Sequence, residues 1–475
     1  MDIRKLKHVH FTGIKGVGMA ALALYFRDLG IKVTGSDVEE VFVTDETLAK
    51  NGVLWTSGFS ANNIEPKPDL LVTTGAHGGL KNPEVLVAIE KGIKVLTYAE
   101  ALALVSGDKK LISVCGVGGK GSTSSMIAVA LDVNNLHPSF VIGMGNIYPL
   151  ETSGRYDKNG KYFICEADEY AISPEINDKP KFSLLKPFIT VVTNIEHDHP
   201  DIYPKFADTL NTFRKYFLKI PKQGLLVANI DNLNTKRTIK GLKIPIQTYG
   251  FSKDADWQIK NLKYSEGRTA FSVYSKKDKI FLTDINLHVP GKFNVQNAMA
   301  AYVVGKKVGL TDQEIKLGLE RYLGCMRRFE KKGVFKGAAF YDDYAHHPSE
   351  IKVTLDAARN WYPEKRIIAI FQPHTFSRTK ILFKDFSKAF ADADIVGFMD
   401  IYASARESKD NTVSSKLLAK ETKKHKKNTY YLGDLKSILK WLNKNTKEGD
   451  IVITMGAGDI FHIYKDLKSD LSIRK

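Results

Sequence analysis

The sequence predicts an α/β protein of three successive domains, each built on a mainly parallel sheet, and three observations lead there. Three times along the 475 residues a short apolar strand runs into a glycine-rich or polar turn. After these starts, strand-like and helix-like stretches alternate, the pattern of parallel sheets with helices on both faces. The chain is also longer than a single core supports, since domains stop growing near roughly 250–300 residues.

The first start is Val9-His10-Phe11-Thr12-Gly13, followed by a helical run from Val17 to Leu29 and the strand Lys32-Val33-Thr34-Gly35. By periodicity this is a βαβ unit. The second is Leu111-Ile112-Ser113-Val114-Cys115, with a helix continuing through Ser122 to Leu131. The third begins near Arg328 and carries strands at 366–371, 394–399 and 450–455. Boundaries near Gly107 and Cys325 divide the chain into residues 1–107, 108–325 and 326–475. From about Ile246 to Leu287 polar and apolar residues alternate, which predicts antiparallel strands, an edge or an insertion of the middle domain.

Composition narrows the class. Hydrophobic residues make up 43% and charged residues 26%, the balance of a soluble globular protein. No apolar run approaches the roughly 20 residues that cross a bilayer. Met1-Asp2-Ile3-Arg4-Lys5 has no apolar stretch behind its charges, so no secretory signal is expected and a cytoplasmic location is. Cys115, Cys165 and Cys325 are scattered without metal-ligand spacing, as reduced thiols. The formal charge is +17, but apart from Lys423-Lys424-His425-Lys426-Lys427 the lysines are spread thinly. That argues for a basic solvated surface favouring small anionic substrates, and against a nucleic-acid-binding arm.

The strongest local signal is Gly116-Val117-Gly118-Gly119-Lys120-Gly121-Ser122-Thr123, between a strand and a helix. Backbone N–H groups of such a loop close around phosphates, the helix N-terminus adds favourable charge, and Lys120 reaches the outer phosphates of ATP. The standard pattern has Ser or Thr directly after the lysine to bind Mg²⁺. Gly121 stands there, so Ser122 or Thr123 is left to supply the hydroxyl. A second glycine loop, Gly13-Ile14-Lys15-Gly16-Val17-Gly18-Met19, with Asp37 after the next strand, suits a diphosphate on a helix N-terminus, Asp37 contacting a ribose or base.

Two acidic clusters follow probable strand ends, Glu166-Ala167-Asp168-Glu169-Tyr170 and Glu196-His197-Asp198-His199. Carboxylates beside a phosphate loop are where Mg²⁺ is held, and a histidine completes such a site. In the last domain, Arg327-Arg328-Phe329-Glu330, Tyr341-Asp342-Asp343-Tyr344-Ala345-His346-His347-Pro348 and Phe371-Gln372-Pro373-His374-Thr375-Phe376-Ser377-Arg378-Thr379-Lys380 place cations at strand ends, ready for carboxylate or phosphate. A nicotinamide dehydrogenase would explain the first glycine loop and Asp37 but leave these other motifs idle.

In this order the motifs resemble the Mur ligases, over nearly the whole chain, and within them the branch that adds L-alanine to UDP-N-acetylmuramate. The resemblance implies a Rossmann-like N-terminal domain for the UDP moiety, a P-loop ATPase-like central domain and a Rossmann-like C-terminal domain for the amino acid. It implies an acyl-phosphate mechanism with ATP and Mg²⁺, small-molecule substrates, and a monomer or dimer. Carried over, the UDP loop comprises Gly13, Lys15, Gly16, Val17, Gly18, Met19 and Asp37, and the ATP loop Gly116, Gly118, Gly119, Lys120, Gly121, Ser122 and Thr123. Lys120 holds the transferring phosphate; Ser122, Glu166 and His199 hold Mg²⁺. Asn294 and Asn297 lie by the adenine, Asp343 by the ribose, Arg328 at the phosphates, and His346, His374 and Arg378 around the amino acid. Two departures from the family pattern are Gly121 and Phe293, where the family commonly has Thr and His. The stretches 166–170 and 178–182 look more like the branch that attaches a tripeptide to UDP-N-acetylmuramate, and a non-catalytic UDP-sugar-binding relative is the other alternative.

Overall fold

The computed structural model describes residues 1–173, 176–403 and 410–467, in two compact units. One comprises Met1–Leu262, Ala270–Leu287 and Phe293–Leu323; the other comprises Lys263–Thr269, His288–Lys292 and Gly324–Lys475.

The first unit opens with a five-stranded parallel sheet in the order Leu54–Ser57, Lys32–Asp37, His8–Thr12, Leu70–Thr73, Lys94–Thr97. The chain starts at the middle strand and builds outward first on one side, then on the other. Strand order therefore reverses beside His8–Thr12, and the crevice at such a switch point is where ligands bind. The glycine loop leaves from that point into the helix Val17–Asp28. Every residue from Met19 to Phe26 on this helix is buried, which marks a helix covered on all sides. Phe26 meets Phe11 of the N-terminal sheet at 5.9 Å, while Tyr25 meets Phe163 of the central sheet at 5.6 Å. One hydrophobic cluster thus runs through both sheets, and the loop that starts the helix is held against the central sheet.

In the central sheet Leu225–Asn229, Ile189–Val192, Lys110–Cys115, Tyr162–Glu166 and Ser139–Val141 are parallel neighbours. Leu225–Asn229 and Ile189–Val192 are buried throughout, as parallel strands sandwiched between helices must be. Ile246–Gly250 adds to Leu225–Asn229 in parallel, and Tyr249 and Gly250 pair in parallel with Trp257 and Gln258. This corrects the antiparallel expectation for the start of that stretch. Alternation reports which faces are buried and carries no information on strand direction.

The second unit holds a six-stranded sheet in the order Glu330–Phe335, Ala338–Asp343, Ile451–Met455, Ile367–Phe371, Ile395–Met399, Thr429–Gly433. The first pair is antiparallel and the rest parallel. The strands ending at Asp343 and Phe371 flank Ile451–Met455, so the turns after them open at the same edge of the sheet.

Candidate functional site

At the N-terminal switch point, Gly13 has φ 77° and a Cβ there would lie 3.2 Å from Thr74 Cβ, so only glycine fits the turn. Gly16 caps the following helix without a side-chain hydrogen bond, leaving its N–H groups to a ligand. They face a cavity of about 310 Å³ lined by Gly16, Val17, Gly18, Met19, Thr74, Gly75, Ala76 and Tyr98, and, from the small hairpin after Tyr162–Glu166, by Tyr170, Ala171, Ile172 and Lys181. Gly18 is small for Tyr98, whose ring would be 3.1 Å from a Cβ at that position.

Two residues read as substrate contacts turn inward instead. Asp37 is 1% exposed and accepts the N–H of Lys15 at 2.7 Å and of Val38 at 2.8 Å. The turn presents the Lys15 N–H beneath itself, and a carboxylate at the adjacent strand end satisfies it. Lys15 is 2% exposed, its ammonium donating to the Glu40 carbonyl, 3.7 Å from Asp45 and 4.9 Å from the Phe42 ring. Gly13, Lys15 and Asp37 shape the loop and do not line the cavity. Tyr98 and Lys181 do line it; no motif in the sequence singled out Tyr98, and Lys181 falls in the stretch 178–182 that pointed to the tripeptide branch.

The glycine loop 116–119, expected to hold phosphates, lies between Lys110–Cys115 and the helix Lys120–Val133. Its glycines are forced: Gly116 has φ 123° with Asn194 N 2.9 Å from a notional Cβ, and Gly119 has φ 84° with Asn297 Oδ1 at 2.7 Å. The segment after Ile189–Val192 braces it. Thr193 Oγ1 donates to the Gly118 carbonyl at 2.6 Å, and the Gly118 N–H donates to Asn194 Oδ1 at 3.0 Å. Asn297 donates to Asn294 at 3.2 Å, both buried, so the pair expected by the adenine stands against the phosphate loop. At the position of the missing hydroxyl, a Cβ on Gly121 would fall 2.8 Å from Met144 Cγ and closer still to its sulfur. Ser122 is half-buried, whereas Thr123 is fully buried with its hydroxyl unpartnered.

Lys120 points at the first acidic cluster, its Nζ 3.4 Å from Glu169 Oε2. Burial works against the ammonium, but the charges of Glu169, Asp168 and Glu166 outweigh it and raise its proton affinity. Burial raises Glu169, with Lys120 pulling the other way. Asp168 is also pushed up by burial, yet Lys181 at 2.7 Å and Lys120 bring it below its ordinary range. Ligand atoms of Asp168, Glu169 and His199 lie within 4.8 Å of one another. Two carboxylates and an imidazole suit a divalent cation, and Glu169 Oε1 is buried with no hydrogen-bond partner, an orphan such an ion would satisfy. Of the residues expected at the metal, the structure brings His199 into this group and leaves Glu166 outside it. Glu166 ends its strand and accepts the Gly143 N–H at 2.7 Å. Spacing within Glu-Ala-Asp-Glu could not say which carboxylate faces the loop.

In the second unit, the adjacent arginines differ. Arg327 is 4% exposed and donates to Asp342 at 2.9 Å, whereas Arg328 is exposed, its guanidinium 5.7 Å from the Tyr344 ring centre. Asp343, expected at the ribose, is 7% exposed and accepts the N–H groups of Phe329 and Ala345, each at 2.8 Å. It ties the turn that carries Arg328 to the turn that carries His346. Burial lowers His346, against the opposing Glu350 carboxylate, and Arg378 and Arg328 add to the lowering. Arg378 lies 3.3 Å from His374 Nδ1, and His374 stacks on Tyr402 at 5.6 Å. Thr375, at φ 67°, holds this turn in a conformation that β-branched residues rarely adopt. His346, His374, Arg378 and Arg328 thus meet at one edge of the sheet, a cationic and imidazole-rich surface.

Three family descriptions match in succession: the Mur ligase family catalytic domain over residues 8–110, the Mur ligase middle domain over 114–305, and the Mur ligase glutamate ligase domain over 327–458. The UDP-N-acetylmuramate–L-alanine ligase of Caldanaerobacter subterraneus subsp. tengcongensis is 38% identical over 465 residues, 98% of this chain and 97% of that protein. The enzyme of the same name from Acetivibrio thermocellus is 39% identical over 467 residues, 98% and 96% of the two chains. Among solved structures, a UDP-N-acetylmuramate–alanine ligase from Thermotoga maritima superposes with a TM-score of 0.79 at 25% identity, covering 98% of each chain. A murein peptide ligase from Psychrobacter arcticus shares the fold, with a TM-score of 0.67 at 24% identity over 98% of this chain and 100% of that one. With relatives of this identity over nearly its full length, the chain belongs to the Mur ligase family.

Proposed function

We propose that this protein is an ATP-dependent ligase that adds L-alanine to UDP-N-acetylmuramate in peptidoglycan precursor synthesis, working in the cytoplasm where ATP is supplied. The observation that carries the reading is the 38% identity over 465 residues to an enzyme of that name. Residues 1–107, 108–325 and 326–475 then serve the UDP substrate, ATP and the amino acid respectively.

The helix N-terminus at Gly16–Met19 takes the diphosphate of the UDP-sugar, with Lys181 and Tyr98 lining the same cavity. The phosphate loop and Lys120 hold ATP so that its outer phosphorus meets the lactyl carboxylate. Asp168, Glu169 and His199 would hold Mg²⁺, with Ser122 as the part-exposed hydroxyl and Glu166 fixing the strand end behind them. Bound there, the ion would screen the phosphate oxygens from the incoming carboxylate. The carboxylate oxygen bonds to phosphorus as the bond to ADP breaks. The alanine amine then attacks the acyl carbon, and phosphate leaves with its oxygen. Negative charge passes through the centre at each step, so cations fixed beforehand are the chief catalytic asset. His346, lowered by burial, stays neutral at pH 7 and is suited to accept a proton from the amine.

The test is phosphate release from ATP with UDP-N-acetylmuramate and Mg²⁺, comparing L-alanine, L-serine, glycine and the L-Ala-γ-D-Glu-diaminopimelate tripeptide. Release dependent on L-alanine is expected. Release with the tripeptide alone would move the protein to the recycling branch, and binding of the UDP-sugar without release would mark a non-catalytic relative.

A further inference from the structure

The phosphate loop lacks a side chain directly after Lys120, and the space is filled by a residue from elsewhere. Met144 is 8% exposed and follows the strand Ser139–Val141, next to Gly143, whose N–H is held by Glu166 at 2.7 Å. Its Cγ and Cε would lie 2.8 and 3.5 Å from a Cβ at residue 121, with the sulfur nearer than either. Neighbouring hydroxyls do not take over that space. Ser125 donates back to the Gly121 carbonyl at 2.7 Å, and Thr123 is enclosed without a partner.

We propose that Met144 is a positioning residue of the ATP site and that Gly121 and Met144 are a complementary pair. The thioether occupies the volume a side chain at 121 would need and seats the first turn of the helix Lys120–Val133, which aims Lys120 at Glu169. The anchor is itself fixed, because Gly143 is tied to Glu166 at the end of the adjacent strand. The absence of a hydroxyl after the lysine is then a substitution matched by its neighbour. The two are coupled: a side chain at 121 must displace the Met144 side chain from its seat, and truncating Met144 leaves the turn unsupported. The inference rests on the reading of this loop as the ATP site.

The experiment measures equilibrium binding of ATP with Mg²⁺ and with EDTA to the full-length protein and to Gly121→Ser, Met144→Ala, Met144→Leu and the Gly121→Ser/Met144→Ala double variant, each with its melting temperature. Gly121→Ser should bind MgATP roughly tenfold more weakly, and Met144→Ala a few-fold more weakly, as expected for coupled neighbours. The double variant should recover to wild-type affinity or beyond. Its ratio of Mg²⁺-dependent to Mg²⁺-free affinity should exceed the wild type's, since a hydroxyl beside the lysine is a metal ligand in standard loops. A purely structural contact would not move that ratio. Met144→Leu, which keeps the volume, should match the wild type. If Gly121→Ser alone binds normally, or the double variant is no better than the sum of the single changes, the pair is refuted. A Gly121→Ser protein that melts early and is restored in the double variant supports it. Failure of the wild type to bind MgATP would instead overturn the ATP reading itself.

Discussion

The two adjacent arginines of the second unit give a sharp test, because the structure assigns them opposite work. Arg327 is 4% exposed and pairs with Asp342, itself 1% exposed, at 2.9 Å. It also donates to the Gly456 carbonyl and lies 4.6 Å from the Phe461 ring and 5.2 Å from Tyr344. Arg327→Met leaves Asp342 buried without its paired cation, a loss of about 3–5 kcal/mol for a broken buried pair. In a unit of this size that lowers the melting transition by on the order of 10 °C. The loss also has a pH signature. Burial raises Asp342 to about 6 even with Arg327 beside it. A carboxyl raised above its unfolded value destabilises the fold progressively from that unfolded value upward, and the penalty is complete once pH passes the folded value. Without Arg327 the folded value climbs further, so the variant keeps losing stability where the wild type has levelled off. Variant and wild type should therefore diverge as pH rises past about 6. Calorimetry at pH 5 and pH 8 reads both effects. Arg328→Met, at an exposed position, should leave the transition within about 0.5 kcal/mol of wild type while depressing turnover. A wild-type transition for Arg327→Met, or a larger deficit at pH 5 than at pH 8, would refute the assignment.

Other predictions concern the first unit. Lys120→Met should reduce kcat roughly 10²–10³-fold, as for loss of a preorganised transition-state cation, and steady-state kinetics would show it; an unchanged kcat would remove Lys120 from the chemistry. Lys181→Met should raise KM for the UDP substrate about tenfold, because Lys181 lines the cavity at the helix N-terminus, and should also alter the Mg²⁺ dependence, because it pairs with Asp168 at 2.7 Å; an unchanged KM for the UDP substrate would contradict that placement. Ser122→Ala should weaken Mg²⁺-dependent turnover far more than Thr123→Ala, since Ser122 is half-buried and Thr123 is enclosed. Equal and small effects would leave the metal to Asp168, Glu169 and His199 alone.

The α/β class, the starts of the three successive strand–turn–helix units and the two glycine loops were all legible in the linear sequence. Each depends on residues close together in the chain: apolar runs that fit buried parallel strands, and glycines where φ must be positive. The place of Lys120 at the start of its helix was legible for the same reason, since a glycine loop running into a helix is a local object. Side-chain direction was not. Lys15 and Asp37 belong to a loop of the expected kind, yet both face inward because the turn's own N–H groups and the Glu40–Asp45 segment claim them. Arg327 and Arg328, or Asp342 and Asp343, are indistinguishable as letters.

The sequence by itself determined the α/β class and, through full-length likeness, the family and the order of its three domain descriptions. Tertiary structure alone decided which carboxylates gather with His199, that Tyr98 and Lys181 line the cavity above the first helix, and that Met144 fills the space beside Gly121. The physical reason is sequence separation. Met144 stands 23 residues from Gly121 and Lys181 stands 13 from Asp168, and only the pairing of Ser139–Val141 and Lys110–Cys115 on either side of Tyr162–Glu166, and of Ala171 with Pro180, brings such groups to one place.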